Sequence, residues 1–167
     1  PLASTKRRLR PSDVLILVSR RGRIQELTIS ALKKRGIPVA GADRLGLTDH
    51  IAVRDLMALG QALLLPEDDL NLACLLRSPL VGLDEDALFD LAFDRDKRTL
   101  HENFRRKRER YAEAFARFET WLDRADFMPP FELFTLILAE GGRERLLARL
   151  GPDAAEPVEA FLGQALD

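Results

Sequence analysis

The sequence has little cysteine and histidine, and this scarcity limits the chemistry that it can carry. Cys74 is the single cysteine, so an intramolecular disulfide is excluded. The two histidines, His50 and His101, stand far apart, and a structural zinc site needs four clustered Cys or His ligands. We expect both histidines on the surface and Cys74 buried as an inert thiol. One cysteine and no secretion signal favour a reducing, cytoplasmic location.

The sequence also lacks long apolar runs and the common catalytic motifs. No run approaches the roughly 18 residues that a membrane-spanning helix needs, so no membrane partner is expected. There is no G-x-x-x-x-G-K-[ST] phosphate loop, no G-x-G-x-x-G after a strand and no G-x-S-x-G nucleophile elbow. Acidic clusters at residues 67–69 and 84–86 precede predicted helices, where carboxylates act as caps. We therefore expect no catalytic residue, no metal site and no cofactor in this chain.

The start of the chain lacks both an initiator Met and a signal peptide, since it begins at Pro1. We expect the chain to be a piece of a longer protein.

Positive and negative side chains are nearly balanced, at 26 Lys and Arg against 27 Asp and Glu, but they are unevenly distributed. Residues 1–35 hold ten Lys and Arg and two acids, whereas residues 36–167 hold sixteen Lys and Arg and twenty-five acids. A basic end on an acidic body indicates an anionic partner near the N-terminus. The alternative is a solvated tail with ordinary surface charge, and charge alone does not separate the two.

Residues 13–40 follow the pattern of a β-loop-α-β unit. Residues 14–18 (VLILV) form a short apolar run that is typical of a strand buried on both faces of a parallel sheet. A helix is predicted from Ile24 to Arg35, with Gly36 after its end, and residues 38–40 predict a second strand. Because two strands do not complete a sheet, we expect its other strands to lie outside this chain.

The remainder of the chain predicts about eight helices. Thr48 or Asp49, then Asp68 or Asp69, and then Asp84 are suitable helix caps. Residues 99–124 predict one long or kinked helix with an aromatic stripe along one face. The last three helices are predicted at residues 131–139, 143–150 and 157–166.

Two basic stretches are candidates for contact with phosphate. Arg20, Arg21 and Arg23 follow the first predicted strand, and loops at the carboxyl ends of parallel strands commonly bind ligands. Guanidinium groups suit phosphate oxygens. The second stretch, residues 105–110, lies on a predicted helix, where a solvated helix face is the favoured interpretation.

Six short motifs follow one another along the chain: DVLILVSRRG (13–22), GIPV (36–39), GA (41–42), VRD (53–55), PEDDLNL (66–72) and SPLVGL (78–83). Taken in order, they resemble the UvrD-like (superfamily 1A) DNA helicases and, among them, the AddA-type subunits of helicase–nucleases. The resemblance covers residues 13–92.

The resemblance implies a mainly α fold: a helical 2B-type subdomain (residues 43–167) preceded by a small β-α-β piece of a RecA-like 2A subdomain (residues 1–42). It implies that the parent protein is an ATP-dependent DNA helicase/nuclease subunit in double-strand break repair, with ATP and Mg²⁺ bound outside this chain. The implied partners are single-stranded DNA, the single/double-strand junction, the rest of the motor and a nuclease subunit.

In this family the residue after the first strand is commonly an arginine that contacts the single strand, and here it is Ser19. The resemblance therefore implies that Arg20 or Arg21 takes over this contact, and Arg23 remains a candidate from its place in the basic stretch. In relatives, a G-I-G turn touches duplex phosphate through backbone N–H groups. Here that turn reads Gly82-Leu83-Asp84, and the acidic Asp84 disfavours such contact. The alternative function is a protein–protein interaction module that docks the nuclease subunit.

Overall fold

The computed structural model describes residues 9–18, 23–39, 47–93 and 95–165. The chain separates into two compact units, residues 1–46 and 47–167. Within the described ranges every regular element is a helix, and none is a strand. The mainly α fold class is therefore confirmed, whereas the predicted β-α-β piece is wrong.

In the first unit, one predicted helix is present and the two predicted strands are not. A short 3₁₀ turn, Pro11–Asp13, precedes residues 14–18, and helix α1 runs Arg23–Lys33. Gly36 has a φ of 69°, which suits its predicted place after the helix end. Residues 14–18 and 38–39 have no regular structure, and Ala40 lies outside the described residues. A strand exists only through its ladder to a neighbour, and the described part of this unit supplies none.

The second unit consists of helices, 3₁₀ turns and one π-helical turn. The 3₁₀ turns are Leu47–Asp49 and Pro152–Ala154, and the π-helical turn is Leu138–Gly142. The helices are α2 Ile51–Leu64, α3 Asp69–Arg77, α4 Glu85–Ala92, α5 Leu100–Arg106, α6 Ala112–Ala125, α7 Pro130–Ile137, α8 Arg143–Leu150 and α9 Ala155–Ala165.

Side-chain caps fix where several of these helices begin. Asp68 accepts from the backbone N–H groups of Leu70 and Asn71, and Asp84 accepts from Ala87, as the sequence predicted. The cap of α2 is different, because His50 Nδ1 accepts from the Ala52 N–H at 3.2 Å. His50 therefore has a structural position at the start of this helix.

The long helix predicted at residues 99–124 is two helices, α5 and α6, separated by residues 107–111. Thr99 and Glu102 form a reciprocal capping box that starts α5. At its other end Lys107 leaves helical geometry, and its Nζ donates to the Asp90 backbone carbonyl at 2.6 Å. Successive positive charges repel one another along a helix and oppose its continuation. Lys107 and Arg110 instead form ion pairs with Asp90 of α4.

The aromatic stripe forms the centre of the core. Phe104 and Phe118 are fully buried, and the Phe104 ring meets that of Phe115 edge-to-face at 5.0 Å. Burying each such ring stabilises the fold by about 1.5–3 kcal/mol, and the paired geometry adds about 0.5–1.5 kcal/mol.

Two sequence expectations about single residues are wrong. Cys74 is exposed, because the buried face of α3 is formed by Leu72, Leu75 and Leu76, and position 74 lies on the opposite side. His101 was expected on the surface, but its side chain is only 13% exposed and packs edge-to-face on Phe118.

Asp69 connects two helices that are distant in sequence. One carboxylate oxygen accepts from the Leu100 N–H at 2.6 Å, which is an otherwise unsatisfied donor at the first turn of α5. The other carboxylate oxygen is bonded to the Arg95 guanidinium. The two adjacent acids of the PEDD sequence therefore have separate structural roles, since Asp68 caps its own helix and Asp69 caps another.

Replacing Asp69 should destabilise the fold more than replacing its neighbour Glu67. Asp69→Ala removes a charged cap and leaves the Leu100 N–H without an acceptor, so we expect the free energy of unfolding in urea to fall by about 1.5–3 kcal/mol. The matched control is Glu67→Ala, because Glu67 is exposed and belongs to the same acidic cluster. Equal effects of the two substitutions would contradict the cross-helix role of Asp69.

Candidate nucleic-acid interface

The arginines predicted to contact DNA lie at the border of the described residues. Arg20 and Arg21 fall outside them, and Arg23 is the first residue of α1. Their role in binding therefore stays a prediction.

The first unit exposes an unusually apolar segment, residues 14–18. Leu15 and Leu17 are 81% and 84% exposed, and Val14, Ile16 and Val18 are also exposed. Val14 has an extended backbone, with φ −108° and ψ 126°. Five consecutive apolar residues have the composition of an interior strand, and here all five are exposed to solvent.

Helix α1 also presents apolar side chains to solvent. Ile24 and Leu27 are exposed, and they line one shallow groove of about 450 Å³. Its remaining walls come from Thr28, Ala31 and Leu32 of the same helix and from Arg35, which follows the helix end. The apolar face predicted for this helix therefore exists, and the described residues of the unit leave it uncovered.

The second basic stretch, residues 105–110, is largely engaged in contacts within the fold. Arg105 lies 3.7 Å from a Glu119 carboxylate oxygen, and Arg106 donates to the Asn103 side chain at 3.0 Å. Lys107 and Arg110 bind the same acid, Asp90 of α4. Arg108 is the exception, since it is exposed and its side chain has no partner among the described residues. The stretch serves mainly to hold the end of α5 against α4.

Asp90 is the anchor of these contacts. Its carboxylate lies 3.0 Å from Lys107 Nζ and 3.2 Å from Arg110 Nη1, and it accepts from the Tyr111 hydroxyl at 2.9 Å. Hydrogen bonds from Lys107 and Tyr111 hold the pKa of Asp90 below its ordinary value. Burial and the bond to Asp90 raise the pKa of Tyr111.

The turn at residues 78–83 uses its own backbone donors. All four N–H groups of residues 80–83 donate within the chain. The Leu80 N–H donates to the Ser78 hydroxyl at 3.3 Å, and those of Val81 and Gly82 donate to the Ser78 carbonyl at 3.2 and 2.8 Å. The Leu83 N–H donates to the Leu76 carbonyl at 2.9 Å. Gly82, with φ of 84°, allows the chain to reverse here. These four donors are therefore all used within the chain.

The carbonyl groups of the same turn are held by arginines from neighbouring elements. Arg117 of α6 donates to the Leu80 and Val81 carbonyls at 3.2 and 3.4 Å. Arg77 of α3 donates to the Leu83 carbonyl at 3.2 Å. This turn is thus a junction between α3, α4 and α6, and no motif in the sequence indicated the part that Arg117 plays.

Within residues 9–18, 23–39, 47–93 and 95–165, no three His, Cys, Asp or Glu side chains are grouped as a metal site. Over those same residues, no helix has both the length and the apolar character needed to cross a membrane.

Two curated proteins resemble this chain over most of its length. Both are named as subunits of an ATP-dependent helicase/nuclease, one from Thermoanaerobacter sp. (strain X514) and one from Thermoanaerobacter pseudethanolicus (strain ATCC 33223 / 39E). Each is 23% identical to it in an alignment of 137 residues that covers 78% of this chain. The chain is similar to helicase/nuclease subunits. It spans 11% of the length of these relatives, and no family model matches it.

Asp55, in the VRD motif of the helicase resemblance, has an unusual environment on α2. Its carboxyl is half-buried, and burial raises its pKa to about 6, while the charge of Arg149 on α8 acts in the opposite direction. The sequence marked the position but gave no sign of this burial, which arises from helices packed around α2.

We expect the charge of Asp55 to destabilise the fold above about pH 6. The folded state holds the Asp55 proton more tightly than the unfolded state does, so this contribution to stability is present at pH 4 and is lost as the pH rises through about 6. Asp55→Asn should therefore raise the free energy of unfolding at pH 7.5 by on the order of 1 kcal/mol, allowing for solvent screening. At pH 4 the gain should vanish.

The matched control for this experiment is Asp123→Asn, at an exposed position on α6. Urea unfolding of both variants and the unaltered chain at the two pH values measures the effect. A gain for Asp55→Asn that is the same at pH 4 and pH 7.5, or that Asp123→Asn reproduces, would contradict it.

Proposed function

We propose that this chain is a non-catalytic segment of an ATP-dependent DNA helicase/nuclease subunit that acts in double-strand break repair. The observation that carries the proposal is its similarity, over 137 residues, to two proteins named as subunits of an ATP-dependent helicase/nuclease. The ordered motifs at residues 13–83 support the same assignment independently of overall identity. In this proposal ATP and Mg²⁺ are bound by other parts of the subunit, which works in the cytoplasm.

We assign the two ends of the chain to different parts of that subunit. Residues 1–42 belong to the 2A motor subdomain, and residues 43–167 form a helical 2B-type subdomain. The exposed apolar residues 14–18 and the uncovered face of α1 support the first assignment, because such surfaces are stable only when other chain segments cover them. The self-contained helical core after residue 47 supports the second.

The segment contributes contact with the DNA strand and regulation of the motor. The candidate contacts are Arg20, Arg21 and Arg23, in the part of the chain that carries ten Lys and Arg and two acids. Three arginines close together in the sequence suit the phosphates of a single strand or of its junction with duplex DNA.

A second candidate function is the docking of a nuclease subunit. One observation favours it: Phe89 of α4 and Phe93, the residue after the helix end, are each 63% exposed, and their rings stack with centroids 5.0 Å apart. Exposed aromatic side chains are enriched in protein–protein interfaces.

Replacing Arg20 and Arg21 should weaken binding to single-stranded DNA and make it less dependent on salt. Each lost phosphate contact reduces the slope of log affinity against log salt by about 0.7, so Arg20→Ala with Arg21→Ala should make it shallower by about 1.4. The measurement is a salt-titrated binding assay on the complete helicase subunit. The control is Arg108→Ala, at an exposed arginine in the second unit.

An unchanged slope and unchanged affinity in the double variant would refute the role of these arginines. A variant with Phe89→Ala and Phe93→Ala that keeps its DNA binding but no longer retains a nuclease subunit would favour the docking function instead.

A further inference from the structure

A cleft of about 320 Å³ opens beside α6 in the second unit. Glu113, Arg117, Thr120 and Trp121 of α6 form one wall. Glu140 and Arg145, from the π-helical turn and the start of α8, form the other. Five charged or polar side chains and one aromatic ring therefore converge from two sides.

Arg145 is the unusual member of this cleft. Its Nε is buried without a hydrogen-bond partner, and no hydrogen bond or ion pair joins its guanidinium to the part of the chain that the structure describes. The guanidinium lies against Gly141, where a Cβ atom, if one were added, would be 3.3 Å from Nη1. Gly141 has φ of 92°, so glycine at this position gives both the turn and the space.

The acids in the cleft are already paired with other arginines. Glu113 binds Arg117 at 2.6 Å, and both carboxylate oxygens of Glu140 lie 2.9 Å from Arg124 Nη1. Both acids are therefore already bonded to other arginines, and Glu113 and Glu144 act on Arg145 through their charge alone. Burial, followed by the charge of Arg117, lowers the pKa of Arg145. A partly buried cation without an acceptor is costly, and an anion in the cleft would offset that cost.

We propose that this cleft binds a phosphate group, with Arg145 as its principal donor and Arg117 as the second positive group. A phosphate ester carries up to two negative charges and three acceptor oxygens, so it can face two guanidinium groups at once. A carboxylate has one charge and two oxygens in a plane. The cleft is also larger than a single water molecule requires. This proposal does not rest on the helicase assignment.

The phosphate can come from a DNA backbone or from free phosphate. The two sources share their chemistry, and the experiment has one arm for each. The first probe is inorganic phosphate, with acetate at the same concentrations as the carboxylate control. The second probe is a single-stranded oligonucleotide of about 12 nucleotides, which is within the site size of common single-strand binding folds.

The direct measurement is an NMR titration that follows the arginine Nε–Hε resonances of the chain. We expect phosphate to shift the Arg145 resonance, and Arg145→Met to weaken phosphate binding about tenfold or more, since charge-assisted hydrogen bonds are lost. Arg108→Met, at an exposed arginine without a side-chain partner in the described residues, should bind phosphate as the unaltered chain does. Because Arg145→Met removes a partly buried charge that has no acceptor among the described residues, the variant should fold at least as stably, and its amide spectrum verifies this.

Each outcome of the titration either supports or overturns the phosphate site. Binding of the single strand that Arg145→Met abolishes supports it and identifies a nucleic-acid phosphate. Binding of inorganic phosphate alone, again lost in Arg145→Met, supports it and identifies free phosphate. No shift with either probe, equal affinity in Arg145→Met, or an equal response to acetate would overturn it.

Discussion

The apolar face of α2 is the feature that organises the helical unit. Ala52, Leu56, Leu59 and Ala62 recur at helical spacing and are completely buried. Helices α3, α6 and α9 all pack against α2, although they come from separate parts of the sequence. The position of the other helices, and therefore of the junction turn and the Arg145 cleft, follows from how this one face is covered.

Local chemistry explains why much of the fold could be predicted from the sequence. Asp68 and Asp84 cap the helices that they precede, and Pro79 follows the end of α3, because each of these effects acts within one turn. The strand predicted at residues 14–18 is absent, and the long or kinked helix predicted at residues 99–124 is divided into two helices, for a common reason. A strand needs a partner, and the break at Lys107 is fixed by Asp90 of another helix, so tertiary contacts decide both.

The candidate sites show the same division. The sequence shows where a basic stretch lies, but it does not show which of its cations are already paired with acids of the fold. Four cations in residues 105–110 have partners in the fold, whereas Arg108 has none among the described residues. Arg145 belongs to no motif, and its lack of a partner in that part of the chain emerges only where α8 meets α6. Arg20 and Arg21 lie outside the described residues. Their proposed contact with DNA therefore still rests on the sequence alone.

Residues 47–167 contain a complete core, whereas residues 14–18 expose apolar side chains that other chain segments must cover. The most direct test of this division is urea unfolding of residues 47–167 alone, followed by circular dichroism and by fluorescence of Trp121, which is 2% exposed. We predict a single cooperative transition with coincident curves from both probes. A gradual loss of signal, or two transitions that do not coincide, would contradict a self-contained helical core.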